Sequence, residues 1–257
     1  MPQMPFAFGQ TLYYERISGE PDLPTLIFLH EGLGCCAMWK AFPQRLCKAT
    51  GCSGLVYDRL GYGRSSQQKD LRNPRYLHDY ALIELPQVIS SLLSEQEYIL
   101  VGHSDGGSIA MIYGANAPSR LKGIVTEAAH VFVDEQTLAG IAHAVKAWKA
   151  GKLKRLYEYH GTRTEWVFEA WHTIWLSSEF RSWNIESFLS RIEVPLLVIQ
   201  GAEDQYGSLK QVEAIVSKTR GDVMPAILRA CAHVPHLEAQ EETLSFMANF
   251  IQNICKK

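Results

Sequence analysis

The sequence has no excess of charge of either sign and no long hydrophobic run. Lysine and arginine total 25 against 27 aspartates and glutamates, a formal net charge of −2. This balance argues against a strongly basic nucleic-acid binder and against a polybasic protein of the membrane surface. No apolar stretch approaches the roughly 20 residues needed to cross a bilayer. We therefore expect neither a nucleic-acid partner nor a membrane span.

The cysteines show neither a Cys-x-x-Cys unit nor the spacing of a zinc site. They are Cys35, Cys36, Cys47, Cys52, Cys231 and Cys255. We interpret them as free, mostly buried thiols of a protein in a reducing compartment. The opening Met-Pro-Gln-Met-Pro also lacks the charged and apolar regions of a secretory signal. These absences predict a cytoplasmic protein without a disulfide framework or a metal.

Short apolar runs alternate with helical patterns through most of the chain. Because they are continuous, the runs are typical of parallel strands covered on both faces. They occupy residues 25–29, 54–57, 98–101, 121–125, 195–199 and 224–228. An apolar stripe from Leu244 to Ile254 predicts a C-terminal helix, and a similar rhythm from Leu82 to Leu92 predicts another that Pro86 kinks or resets. The alternation predicts an α/β fold with a doubly wound, mostly parallel sheet that binds ligands at the carboxyl ends of its strands.

One stretch, residues 134–190, contains no convincing strand but most of the tryptophans. They are Trp148, Trp166, Trp171, Trp175 and Trp183. We interpret the stretch as a helical cap inserted between two parts of one core, residues 1–133 and 191–257. The aromatic side chains either only pack the cap on the core or also wall a pocket, and we expect Trp148, Trp171 and Trp175 to contact a ligand there.

The segment Gly102-His-Ser-Asp-Gly106 lies between an apolar strand and an apolar, alanine-rich helix. The Gly-x-Ser-x-Gly pattern alone is weak evidence for a function. Its position between a strand and a helix, however, is typical of a nucleophile on a strained turn, where the residues two before and two after the nucleophile must be small. The turn would aim the amide of Asp105 at the reacting carbonyl, with the helix dipole favouring negative charge there. Ser104 is therefore the candidate nucleophile, and the competing interpretation is a passive serine in a glycine-rich turn.

A serine hydroxyl needs a base, and the base needs an orienting acid. Asp204 follows the strand at 195–199, with Glu203 as its competitor. After the strand at 224–228 come two histidines, His233 and His236, of which we favour His233.

Together these segments resemble the α/β-hydrolase superfamily over nearly the whole chain. His30-Glu-Gly-Leu-Gly34 resembles its oxyanion segment, and Asp58-Arg-Leu-Gly-Tyr-Gly-Arg-Ser65 resembles its Asp-x-x-Gly-x-Gly-x-Ser loop. Gly102–Gly106 resembles its nucleophile turn, Gly201-x-x-Asp204 its acid turn, and His233-x-Pro235 its histidine loop. The resemblance implies a Ser104–His233–Asp204 triad, with the amide of Gly32 as a second oxyanion donor beside that of Asp105.

Two residues depart from the family pattern. Glu31 replaces the glycine usual after the histidine, which places a carboxylate near a site that must stabilise an anion. It either points away or contacts a substrate amine or an ordered water. Ala232 replaces the glycine that commonly precedes the catalytic histidine, and this leaves His236 open as the base. His130, which follows the strand near residue 125, is a further candidate for the pocket wall.

Two interpretations compete with a hydrolase. Gly32-x-Gly34-x-x-Ala37 nearly matches a dinucleotide fingerprint, with Asp58 about 20 residues later, and some members of the superfamily are silent ligand receptors. The motifs favour a carboxylesterase-like serine hydrolase that needs no cofactor and cleaves a small-molecule ester or lactone. An apolar, bulky substrate such as a macrolide-type lactone is one candidate, and amide or carbon–carbon bond cleavage by the same triad is the alternative.

Overall fold

The computed structural model describes residues 2–68 and 72–256, with the side chain of Phe8 excepted. Residues 1, 69–71 and 257, which belong to the predicted core parts, lie outside the described residues. Eight strands form one sheet in the order β1-β2-β4-β3-β5-β6-β7-β8. The strands are β1 (Gln3–Pro5), β2 (Thr11–Ile17), β3 (Thr25–Leu29), β4 (Gly54–Tyr57), β5 (Tyr98–His103), β6 (Leu121–Glu127), β7 (Leu196–Gly201) and β8 (Val223–Leu228).

The sheet is parallel except at its N-terminal edge. Strands β4, β3, β5, β6, β7 and β8 pair in parallel, whereas β1 and β2 pair antiparallel with each other and β2 pairs antiparallel with β4. All six predicted strands are present, and the mostly parallel α/β sheet is confirmed. The sequence reading missed β1 and β2, because their residues are only partly buried and do not form a continuous apolar run.

Helices lie on both faces of the sheet. They are α1 (Phe42–Thr50), α2 (Tyr76–Asp79), α3 (Leu85–Leu92), α4 (Asp105–Gly114), α5 (Glu135–Lys149), α6 (Tyr157–His160), α7 (Thr164–Leu176), α8 (Glu186–Leu189), α9 (Leu209–Lys218), α10 (Pro235–Glu238) and α11 (Gln240–Cys255). Alternate residues of β5 join separate cores: Leu100 packs on the side of α3 and α4, and Val101 packs on the side of α1 and α11. A sheet covered on both faces explains why its strands read as continuous apolar runs.

Pro86 changes the helix that contains it, as predicted. Helices α2 and α3 are continuous through a π-helical turn at Tyr80–Glu84, where the Leu85 amide donates to the Tyr80 carbonyl five residues earlier. Proline has no N–H to donate to the carbonyl four residues before it, so the regular ladder is already broken at this point. The reset therefore takes the form of a wider turn just before the proline.

Residues 134–190 lie between β6 and β7 and hold helices α5 to α8. Within the described residues this stretch contributes no strand to the sheet and only one isolated bridge, between Phe132 and Asn184. Its treatment as a separate cap domain with those boundaries stays a prediction. Below we call residues 134–190 the cap. No described helix is both long enough and apolar enough to cross a membrane.

Candidate active site

Ser104 lies on a sharp turn between β5 and α4. Its φ of 52° and ψ of −115° are unusual for a residue with a side chain and persist only where the surroundings enforce them. A Cβ atom on Gly102 would lie 2.3 Å from the Gly106 carbonyl oxygen, and one on Gly106 would lie 1.9 Å from the Leu29 carbonyl oxygen. Glycine is therefore required on both sides of the serine, at the positions singled out in the sequence.

A histidine and a carboxylate from two later strand ends meet this serine. The Nε2 atom of His233 lies 3.1 Å from Ser104 Oγ, and its Nδ1 atom lies 2.9 Å from each carboxylate oxygen of Asp204. All three residues are buried. Because a carboxylate only accepts, Nδ1 carries the proton in the neutral ring and Nε2 is free to accept from the serine hydroxyl.

Asp204 is held ionised and in place by its own loop. Oδ1 accepts from the amides of Tyr206 and Gly207, at 2.7 and 3.2 Å, and Oδ2 accepts from Gln200 Nε2 at 2.7 Å. Burial acts to raise the pKa of Asp204, but the hydrogen bond and charge of His233 and the Tyr206 amide outweigh it, so this pKa lies below its usual value. The competitor Glu203 is exposed and makes no side-chain hydrogen bond with a described residue.

The second histidine of this loop has a different partner. His236 Nδ1 lies 2.8 Å from Oε2 of the buried Glu127, and the ring packs 4.5 Å from that of Trp39. His233 rather than His236 therefore contacts the serine. The sequence analysis did not identify Glu127, although an acidic residue at the carboxyl end of a predicted parallel strand could have indicated a residue near the site.

The amides of Asp105 and Gly32 have no acceptor among the described residues. Both would be free to stabilise an anion, but their role as oxyanion donors stays a prediction. Glu31, Leu33 and Gly34 line the pocket described below, whereas Gly32 packs behind them: a Cβ atom there would lie 2.5 Å from Trp171 Cδ1. The neighbouring Leu33 amide is already engaged, because it donates to Glu31 Oε2 at 2.5 Å.

A cavity of about 350 Å³ opens above Ser104, mostly between apolar and aromatic side chains. Glu31, His130, Trp171 and Trp175 line it, as the sequence suggested. The expectation for Trp148 is not met. Its ring stacks 4.4 Å from that of Phe168 within the cap and does not line the cavity.

The remaining buried imidazoles and thiols near the site are held in their neutral forms. Burial, followed by neighbouring positive charge, lowers the pKa of His30, His103 and His130. His103 has a structural contact: its Nε2 lies 2.7 Å from the backbone oxygen of His233. Burial raises the pKa of the Cys35 and Cys231 thiols to about 12, which leaves neither activated as a nucleophile.

Acidification below neutral pH is expected to destabilise the fold. Four buried histidines have lowered pKa values, so the unfolded chain takes up protons below about pH 6.5 that the folded chain does not. They are His30, His103, His130 and His160. Burial raises the pKa of Glu31, and that of Glu84 to about 7, and these two groups oppose the trend. The four histidines outnumber these two groups, so the net effect of acidification is a loss of stability. Urea midpoints should fall from pH 7 to 5.5, and a flat profile would contradict this account.

Comparison with known proteins identifies the family of this chain. The sequence profile described as the alpha/beta hydrolase family matches residues 26–246. The chain belongs to this family. A proline iminopeptidase of Saccharolobus solfataricus is 21% identical to this hydrolase over 286 residues, covering 96% of this chain and 91% of that protein.

Two solved structures show the same fold at low identity. The 2-hydroxy-6-oxo-6-phenylhexa-2,4-dienoate hydrolase of Rhodococcus sp. strain RHA1 has a TM-score of 0.80 at 14% identity, with 97% of each chain covered. The enol-lactonase of Burkholderia xenovorans LB400 has a TM-score of 0.74 at 17% identity, covering 97% of this chain and 98% of that one. The names of these three proteins therefore state different substrates.

The dinucleotide interpretation finds no support in the fold. Asp58 does not present a carboxylate to a ribose, because its Oδ1 accepts from the Cys36 amide at 2.6 Å and its Oδ2 from the Arg64 amide at 2.8 Å. These bonds tie the segment after β3 to the loop after β4. Asp58 therefore organises the backbone around the site.

Proposed function

We propose that this hydrolase cleaves carboxylic esters or lactones through an acyl-enzyme on Ser104. The observation that carries the proposal is the continuous contact from Ser104 Oγ through both ring nitrogens of His233 to Asp204, with distances of 3.1 and 2.9 Å. A hydroxyl in contact with an imidazole that a carboxylate orients is the arrangement of a serine nucleophile and its base.

In the proposed reaction Ser104 Oγ attacks the substrate carbonyl while His233 Nε2 takes the hydroxyl proton. Asp204 keeps Nδ1 protonated and stabilises the imidazolium. His233 then protonates the leaving alcohol, and a water activated by the same nitrogen attacks the acyl group and restores the serine. The amides of Asp105 and Gly32 would stabilise the oxyanion, and losing one such donor typically costs about 3 kcal/mol of transition-state stabilisation.

The cavity supports a compact substrate. Its volume of about 350 Å³ is near the lower end of small-molecule pockets, which favours a small ester or lactone over a macrocyclic lactone. Esters and lactones also require the least activation of the leaving group, whereas amide or carbon–carbon cleavage by the same triad remains the second candidate. The six free thiols support a reducing, cytoplasmic compartment as part of the proposal.

A fluorophosphonate probe tests whether Ser104 is activated. We expect intact-mass spectrometry to show one phosphonyl group per chain, located on Ser104, because the probe traps only a serine whose proton a base can take. Ser104→Ala should abolish the labelling. Ser108→Ala, which changes another buried serine of α4 that donates to the His130 carbonyl, should retain it.

The same experiment separates this proposal from a silent receptor. A receptor on this fold would bind ligands without reacting with the probe. Absence of labelling in the wild-type chain, or labelling that survives Ser104→Ala, would therefore overturn the nucleophile assignment.

A further inference from the structure

The described wall of the cavity carries two acidic side chains. Among the described residues that line it, Glu31 and Asp105 are the acidic side chains, and neither lysine nor arginine contributes. Asp105 follows the candidate nucleophile directly, and Glu31 precedes Gly32, whose Cβ position lies 3.2 Å from Asp105 Oδ2. Glu31, Asp105 and Ser104 therefore line one cavity, and the two carboxylates are close enough for their charges to interact.

Asp105 is buried and oriented by a chain of donors that begins in the cap. Trp175 Nε1 donates to the Tyr76 hydroxyl at 2.8 Å, and this hydroxyl donates to Asp105 Oδ2 at 2.9 Å. Both partners are almost fully buried. Asp105 Oδ1 accepts no hydrogen bond from the described side chains or amides, so one carboxylate oxygen stays available at the cavity.

In Glu31, as in Asp105, one carboxylate oxygen accepts a hydrogen bond from a described residue and the other does not. Its Oε2 accepts from the Leu33 amide, and its Oε1 has no partner among the described residues. Burial raises the pKa of Glu31, and the negative charge of Asp105 adds to this effect. A cation bound between the two groups would remove part of this repulsion.

The cationic groups near the pair lie behind the cavity wall. Arg59 donates to the Glu31 carbonyl at 2.8 Å, and its guanidinium lies 4.8 Å from the Tyr62 ring, while Arg72 lies 4.9 Å from the same ring. Neither side chain lines the cavity. Five histidines line the cavity. His30, His103 and His130 are neutral because their pKa values are lowered. His233 contacts Asp204, and His236 contacts Glu127.

Aromatic faces complete the surroundings of the pair. Trp171 and Tyr206 line the same cavity, with ring centroids 6.2 Å apart, and the Tyr206 ring lies 4.7 Å from that of His233. Carboxylates and aromatic faces both attract a desolvated ammonium group. The cavity is therefore built to accept positive charge beside the reacting carbonyl.

We propose that Glu31 and Asp105 bind a protonated amine of the substrate, so that the natural substrates are amino-acyl esters or related compounds with an amine close to the scissile carbonyl. This inference rests on the proposed function for the reaction itself. The amine recognition is a separate property of the cavity, and it can be measured without turnover.

Binding to the Ser104→Ala variant tests the inference independently of catalysis. Calorimetric titration at pH 6.5 would compare leucine methyl ester, whose α-amine is mostly protonated there because such amines titrate near pH 7.7, with methyl 4-methylpentanoate, which has the same skeleton without the amine. We expect the amine-bearing ester to bind at least about tenfold more tightly. N-acetyl-leucine methyl ester, which keeps a nitrogen but not the charge, should lose this advantage.

Two further variants assign the preference to the carboxylates. Glu31→Gln and Asp105→Asn, each in the Ser104→Ala background, should each reduce the advantage, and together they should bring it within about twofold. Glu203→Gln, which removes an exposed acid of the neighbouring loop, is the matched control and should leave it intact. Equal binding of both esters, binding of neither, or an advantage that survives the double substitution would overturn the inference. A failed labelling of Ser104 would instead overturn the reaction and leave this measurement unaffected.

Discussion

Replacing His233 with glutamine is expected to lower kcat for p-nitrophenyl acetate by at least about 10³. Glutamine fills a similar volume and can still donate to Asp204, but it cannot take the proton of the Ser104 hydroxyl, 3.1 Å from the imidazole in the native site. Ser104→Ala removes the attacking oxygen itself, and we expect a loss of the same order because nucleophile and base act as one unit. Steady-state kinetics on the purified variants measures both effects.

His236→Gln is the matched control for the base. Glutamine at this position can still donate to Glu127, which avoids stranding a buried carboxylate. Because His236 does not contact Ser104, we expect a loss of less than about tenfold. The reverse order, with the large loss at His236, would move the base to that residue. Activity of Ser104→Ala within tenfold of wild type would refute the mechanism altogether.

Gly106→Ala is expected to destabilise the fold by about 3 kcal/mol or more. The new Cβ atom would lie 1.9 Å from the Leu29 carbonyl oxygen and 2.9 Å from that of His30. Both are backbone atoms at the end of β3, which pairs with β4 and β5 and cannot shift without disturbing the centre of the sheet. Overpacking of a core typically costs about 1–3 kcal/mol when neighbouring side chains can move. At Gly106 the contacts are with backbone atoms, so no side chain can relieve them by moving. The urea midpoint of the variant should fall accordingly.

Gly107→Ala provides the comparison for this prediction. Its Cβ atom would lie 2.7 Å from the Cβ atom of Ala129, a close contact that the backbone of the loop after β6 must relieve, but a much longer one than the 1.9 Å contact at Gly106. Alanine also favours the helix over glycine by about 1 kcal/mol. We therefore expect a net destabilisation of about 1–2 kcal/mol, clearly smaller than that of Gly106→Ala. Equal destabilisation by the two substitutions would contradict this account, because the 1.9 Å contact at Gly106 would then cost no more than the longer contact at Gly107.

Much of the fold could be predicted from the sequence because the central strands are covered by helices on both faces. Leu26 to Leu29 and Ile99 to Val101 are fully buried, and such strands appear as continuous apolar runs. The edge strands β1 and β2 were not readable, since their exposure varies and their pairing is antiparallel. The π-helical turn before Pro86 was predicted only as a kink or reset. The missing N–H of proline predicts where the helical hydrogen bonds are interrupted, but not which conformation the chain adopts there.

The residues of the candidate site could be predicted from the sequence where they lie at the ends of strands. Ser104, Asp204 and His233 could be named because parallel strands bring their carboxyl ends to one edge of the sheet. The partner of His236 could not be predicted from the sequence, because Glu127 lies 109 residues away along the chain and contacts His236 only in the folded structure. Trp148 shows the same limit within the cap, where packing turned its ring onto Phe168 and away from the cavity.

By itself the sequence determined the order of the six parallel strands, the glycines that the turn at Ser104 requires, and the types of the three residues that meet at the candidate site. These properties depend on local sterics and on burial, both of which leave a mark on neighbouring residues in the chain. Only the tertiary structure decided which histidine contacts Ser104, which aromatic side chains line the cavity, and that Glu31 and Asp105 face it together. Those outcomes depend on distances between residues far apart in the chain, and a linear pattern does not contain them.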